Sequence, residues 1–234
     1  MVRAVVKLPV AGAVRAGMLR RFSHLAAALA SGLTFASCTI PVRAADDVSQ
    51  TRSVSGFDRI RLDGAFSATV TAGKHDTRFV MTGDPDVLAR VTTKVSDGLL
   101  VVGMRDGDNH LRGTIKLQID LPVLRSFKIA GVGNANISGL TGADLELAVP
   151  GAASITASGR AGNETLSLDG TGKIDASDVA ARDVTASANG VGAIYVQGSG
   201  SMVLSVNGVG EIRYKGNPTN VVKHVNGLGR ISAM

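Results

Sequence analysis

Cysteine occurs once in the 234 residues, which excludes a disulfide framework and a four-cysteine zinc site. Tryptophan is missing and aromatic residues amount to only 3%. Charged residues reach 19% against 44% apolar, a balance that excludes wholesale disorder. Acidic residues are absent from residues 1–44, where Arg3, Lys7, Arg15, Arg20, Arg21 and Arg43 stand. That segment carries all of the formal +6 charge; the remainder balances 19 basic against 19 acidic residues. The overall basicity therefore gives no reason to expect a nucleic-acid partner. No apolar run is long enough to span a bilayer, which takes ~20 residues.

The acid-free segment reads as an export signal. Arg20 and Arg21 form a basic start, and residues 25–38 form an apolar stretch of 14. Val42-Arg43-Ala44 then supplies the small-residue pattern for cleavage after Ala44. Met18 is an alternative translation start that would shorten the preamble. Cys38 in the run FASC offers a minority alternative, a lipid-attachment site, although Phe35 stands where leucine is usual. Both routes lead to an exported protein of the periplasm or cell surface.

What is abundant is glycine, and it is periodic. Of 29 glycines, 18 lie between Gly131 and Gly229. Six segments resemble one another, with first glycines Gly131, Gly151, Gly170, Gly190, Gly208 and Gly227 at spacings of 20, 19, 20, 18 and 19. Aligned on these, apolar columns appear: Ala135, Ile155, Ile174, Ile194, Ile212 and Ile231 four residues after, and Ile129, Val149, Leu168, Ala188, Val206 and Val225 two before. The apolar period of 2 predicts strands. The glycines predict corners, with tolerance of positive φ as the reason for their choice. A unit this short cannot bury its apolar face alone, so copies must stack, strand on strand at ~4.8 Å. The expectation is an all-β, single-chain, right-handed β-solenoid with ~19-residue coils, its thin interior explaining the lack of large rings.

The residue before each glycine forms the column Ala130, Pro150, Asp169, Asn189, Asn207 and Asn226, which predicts a corner ladder of stacked amides rather than a ligand stripe. Upstream, 45–55 reads as a flexible leader and 56–234 as the solenoid domain, with regular repeats from about 123. Strands are predicted at 57–62, 65–72, 77–83, 98–104 and 114–121, with a short helix or turn after Asp84-Pro85. Terminal coils of solenoids are atypical because they cap exposed edges. The last repeat shows no cap, which makes a homo-oligomer one expectation.

The stretch GFDRIRLDGAFSATVTAG, the strand LLVVGM and the run LRSFKIAGVGNANISG resemble the head GIN domain family, described as an autotransporter-adhesin head. The resemblance covers about residues 52–233. It implies a β-helical fold, export to the envelope and no assigned catalytic residues. Ala153, in place of a second corner glycine, and Lys223, in an apolar column, depart from the repeat.

Chemistry is sparse. His75, His110 and His224 have no His or Cys neighbour at ligand spacing, and no nucleophile elbow occurs. No cofactor is expected. Asp106 and Asp108 in DGDNH resemble the opening of a calcium loop, but the later ligands are missing. A polysaccharide-cleaving solenoid would need clustered acids. Its candidates are Asp144, Glu146, Glu164, Asp175, Asp178 and Glu211, with Asp178 the lone acid in the column of Gly139, Gly159, Gly198 and Gly216. Asp175, Tyr195 and Arg213 fall in one outward column of successive coils, a surface on which a sugar could rest. The favoured function is an exported, non-catalytic binding module for a glycan or envelope protein. A carbohydrate-active enzyme using Asp175 and Asp178, and a structural oligomeric spacer, are the alternatives.

Overall fold

A computed structural model describes residues 47–105 and 114–234. Arg20, Arg21, Cys38 and Ala44, and the loop acids Asp106 and Asp108, lie outside the described residues. The chain is nearly all β and winds into a solenoid of about 5 turns.

The strands run β1 (Val48–Thr51), β2 (Arg59–Asp63), β3 (Ala65–Thr71) and β4 (Arg78–Gly83). After α1 (Pro85–Leu88) come β5 (Val91–Ser96), β6 (Leu99–Met104), β7 (Ile115–Asp120), β8 (Ser126–Ile129), β9 (Val132–Thr141) and β10 (Leu145–Val149). Then follow β11 (Ala152–Leu168), β12 (Thr171–Ala188), β13 (Val191–Gly198), β14 (Ser201–Val206), β15 (Val209–Lys215), β16 (Asn220–Val225) and β17 (Leu228–Ala233). The helix starts as its sequence predicts: the Asp84 carboxylate accepts from the Asp86 and Val87 N–H groups, and Pro85 supplies a pre-set φ. The segment expected as a flexible leader contributes β1, which pairs antiparallel with β4.

Each coil presents two faces that meet at the glycine corner. One face stacks β6, β2, β8, β10, the ends of β11 and β12, β14 and β16, all parallel. The other stacks β7, β3, β9, the starts of β11 and β12, β13, β15 and β17, also parallel. Along the axis, the first strands of the domain are therefore not outermost. The β6–β7 layer, later in sequence, stacks outside β2–β3. Antiparallel β5 covers β6, and antiparallel β4 covers β7.

The repeat alignment survives in register. Ile155, Ile174, Ile194 and Ile212 stack in consecutive coils, and each is fully buried. Burying one such side chain stabilises by about 2 kcal/mol. The early layers instead hold Phe57, Phe66, Phe79 and Phe127.

The six corner glycines are needed, but for a different reason from the one their type suggests. None has a positive φ. A Cβ on Gly170 would lie 1.8 Å from the Gly151 carbonyl oxygen, and one on Gly190 would lie 1.8 Å from that of Gly170. Coil-on-coil approach leaves no room for a side chain. Positive φ belongs to the second glycine of the corner: Gly192 has φ 148° and would also place a Cβ 1.8 Å from the Gly172 oxygen.

Candidate functional site

Alternation along β12, β13 and β15 turns one set of side chains inward and the next outward. The outward set on these strands forms the candidate site. Register places Asp175 beside Tyr195, Tyr195 beside Arg213, and Arg213 beside Ser232, one coil per step. The column inferred from the repeat is therefore present in the fold.

Asp175 is held by its own coil. Lys173 Nζ lies 3.0 Å from its Oδ2, and the Ser177 hydroxyl and N–H donate to its Oδ1 at 2.8 and 3.3 Å. Partial burial opposes the charged form, but these hydrogen bonds outweigh it and hold the carboxyl below its ordinary range. Lys173 Nζ also sits 5.6 Å from the centre of the Tyr195 ring, within cation–π reach. The Tyr195 hydroxyl donates to Glu211 Oε1 at 3.2 Å. Arg230 meets Glu211 Oε2 through Nη2 at 3.2 Å and Nε at 3.3 Å. Polar contacts thus run from Lys173 to Arg230 across neighbouring coils.

Arg213 is half-buried in this face, and its Nε is buried with no hydrogen-bond partner. Asp178 stands apart. A register shift between Thr156 and Ser158 sets Asp178 opposite Ser158, while Gly159 faces Val179. Counting residues from the corner glycine had put Asp178 in the glycine column; the bulge moves it out by one. Its carboxylate is exposed and lies 3.3 Å from Lys215 Nζ.

Lys173 and Arg230 were missed as site residues. Their signal was available: Lys173, Ala193, Glu211 and Arg230 occupy the next outward column, two residues before Asp175, Tyr195, Arg213 and Ser232.

Asp144, Asp183 and Glu146 are engaged elsewhere. Asp144 Oδ1 accepts from the Asn163 N–H at 2.9 Å and, by that bond first, is held below the ordinary carboxylate range. Asp183 does the same for the Ser201 N–H at 2.8 Å. Glu146 accepts from the Ser126 hydroxyl at 2.9 Å. Glu164 is 1% exposed, and neither carboxylate oxygen has a partner. Burial pushes its pKa up to about 8. Among the described residues, no group of three or more His, Cys, Asp or Glu is placed to hold a metal ion.

The corner ladder forms as its sequence predicts. Asn226 Nδ2 donates to Asn207 Oδ1 at 3.1 Å, Asn207 to Asn189 at 2.8 Å, and Asn189 to Asp169 Oδ1 at 2.7 Å. The hydroxyls of Ser167 and Ser187 donate to the Asp169 and Asn189 oxygens. Each amide from Asn226 down is thus bonded to the next rung, ending at Asp169.

A family model described as "putative auto-transporter adhesin, head GIN domain" matches residues 56–218. Among solved structures, the chain is similar to a putative adhesin from Bacteroides fragilis NCTC 9343, at 26% identity and TM-score 0.65, over 81% of this chain and 97% of that one. It also matches a putative lipid binding protein from Parabacteroides distasonis ATCC 8503, at 18% identity and TM-score 0.48, over 82% and 98% of the two chains. A putative adhesin from the same organism matches at 19% identity and TM-score 0.43, over 82% and 98%. No curated protein matches the chain.

Proposed function

The chain belongs to the head GIN domain family of adhesin-like proteins, and from that membership we propose that it is an exported, non-catalytic binding module of the cell envelope. Its ligand surface is the outward face formed by Lys173, Asp175, Tyr195, Glu211, Arg213 and Arg230. The observation that carries this reading is the run of contacts from Lys173 through Tyr195 and Glu211 to Arg230, which fixes the Tyr195 ring. A fixed ring offers an apolar platform at low entropic cost. Parallel strands hold the face rigid, so recognition needs no rearrangement.

Export rests on the basic and apolar segment ending at Ala44. No helix among the described residues is long and apolar enough to cross a membrane. Binding is favoured over hydrolysis because the acids are committed: Asp175 to Lys173 and Ser177, Glu211 to Tyr195 and Arg230, Asp178 to Lys215. A general acid needs a raised pKa, whereas Asp175 is held low. Glu164, whose pKa is raised, is sealed in the core.

The test is a glycan array and an envelope-extract overlay with the exported wild type and Tyr195→Ala. The wild type should retain a ligand that the variant binds at least tenfold more weakly. Turnover of any polysaccharide that survives repurification and is lost in Asp175→Ala would overturn the non-catalytic reading.

A further inference from the structure

The charges on this face pair off and leave one over. Lys173 pairs with Asp175, Arg230 with Glu211, and Lys215 with Asp178. Arg213 has no ion pair or hydrogen bond among the described residues, and its Nε is buried without a partner. A guanidinium cannot shed its charge, and a buried donor left unmade carries a desolvation penalty. Along this column Asn136, Thr156 and Ser232 are neutral, and Asp175, two coils from Arg213, is paired with Lys173. Only Nε is buried; the Nη1 and Nη2 donors are not among the buried atoms and have no partner among the described residues, so they stand open to a ligand.

Resting on the binding reading above, we propose that Arg213 is the anion subsite of this face, and that the ligand is a saccharide carrying a carboxylate or sulfate. The guanidinium presents a planar fork of donors that matches an oxyanion in two parallel bonds. Tyr195, its register neighbour ~4.8 Å away, presents a ring against which a pyranose can lie. Ser232, the register neighbour on the other side, adds a hydroxyl. Glu211, two residues before Arg213 on β15, does not repel the anion, because Arg230 neutralises it. A neutral sugar would use the ring and leave the guanidinium unmatched; an acidic one uses both.

The experiment is titration calorimetry on the exported protein with oligogalacturonate, a carrageenan-derived oligosaccharide that carries sulfate but no carboxylate, and neutral cello-oligosaccharide. Wild type is compared with Arg213→Gln, Arg213→Lys, Tyr195→Ala and the charge control Arg160→Gln on β11. The acidic saccharide should bind at least tenfold more tightly than the neutral one. Arg213→Gln should lose that preference, and Arg213→Lys should keep part of it, since a lysine supplies charge without the fork. Arg160→Gln should stay within twofold of wild type. The two acidic sugars separate carboxylate from sulfate as the preferred oxyanion. Thermal melts matching wild type show that each variant is folded, and Arg213→Lys keeps the test open should the glutamine variant melt early. Neutral binding that needs Tyr195 but not Arg213 would overturn the anion subsite and leave the binding module standing. Equal losses in Arg213→Gln and Arg160→Gln would overturn it as unspecific attraction. No binding to any saccharide or envelope extract would overturn both.

Discussion

The two halves of the solenoid solve one packing problem in different ways. From β9 onward, coils repeat with nearly constant length, and each stacks on the coil before it. Their interior is stacked Ile, Leu, Val and Ala, with Met202 and Glu164 the exceptions, and the corner is closed by glycine. The earlier layers hold fully buried Phe66 and Phe79 and are closed by antiparallel strands. A repeating coil can bury only what fits a thin layer, whereas an end layer must cover an open edge and has room for larger rings. At the opposite end, Lys223 sits in the apolar column beside Leu204, with its ammonium 4.7 Å from the Tyr214 ring centre. An inward charge on an outer strand discourages further edge pairing.

The comparison breaks most directly at a corner. Gly190→Val would drive a side chain into the Gly170 carbonyl and should prevent folding, read as loss of the β circular-dichroism signal. Gly142→Ala should be much milder, since a Cβ there meets nothing within 4 Å and only its φ of 101° resists.

Glu164 offers the next largest effect, in a column otherwise lined by Leu145, Val184 and Met202. Its folded pKa of about 8 lies above the ordinary 4.5. Below 4.5 the carboxyl is protonated folded or unfolded, and stability is at its full value. Between 4.5 and 8 only the unfolded chain ionises, so stability falls as pH rises, by about 1.4 kcal/mol per unit and about 5 kcal/mol in total. Urea titrations at pH 4 and pH 9 should show this loss in wild type and its absence in Glu164→Leu. Equal slopes for both proteins would contradict the buried carboxyl.

Core truncation sharpens the contrast between halves. Phe66→Ala should cost about 4 kcal/mol, against about 1 kcal/mol for Ile174→Val, both read from urea midpoints. The smallest effect belongs to the exposed amide ladder. Asn207→Ala removes contacts to Asn189, Ser205 and Asn226, yet water replaces them, so thermal melts should report about 1 kcal/mol or less.

The regular coils were legible because their information is local and repeated. The corner glycines, the isoleucine column and the outward position of Asp175, Tyr195 and Arg213 all follow from a period near 19 and strand alternation. Counting failed where one extra residue could hide. The bulge after Thr156 costs no apolar position, so no column betrays it, and Asp178 slips out of its supposed register. The order of the first layers was also hidden. Strand periodicity says which side of β2 and β6 is apolar, but not that β6–β7 stacks outside β2–β3.

By itself the sequence determined the coil, its corners and which side chains face out, because backbone alternation and steric exclusion act within one repeat. The tertiary structure alone decided which charges find partners in other coils. Pairing reaches between coils: Lys215 crosses to Asp178, Arg230 to Glu211, and Arg213 finds none. It also decided that Glu164 is buried, because burial depends on neighbours that stacking brings in from other coils.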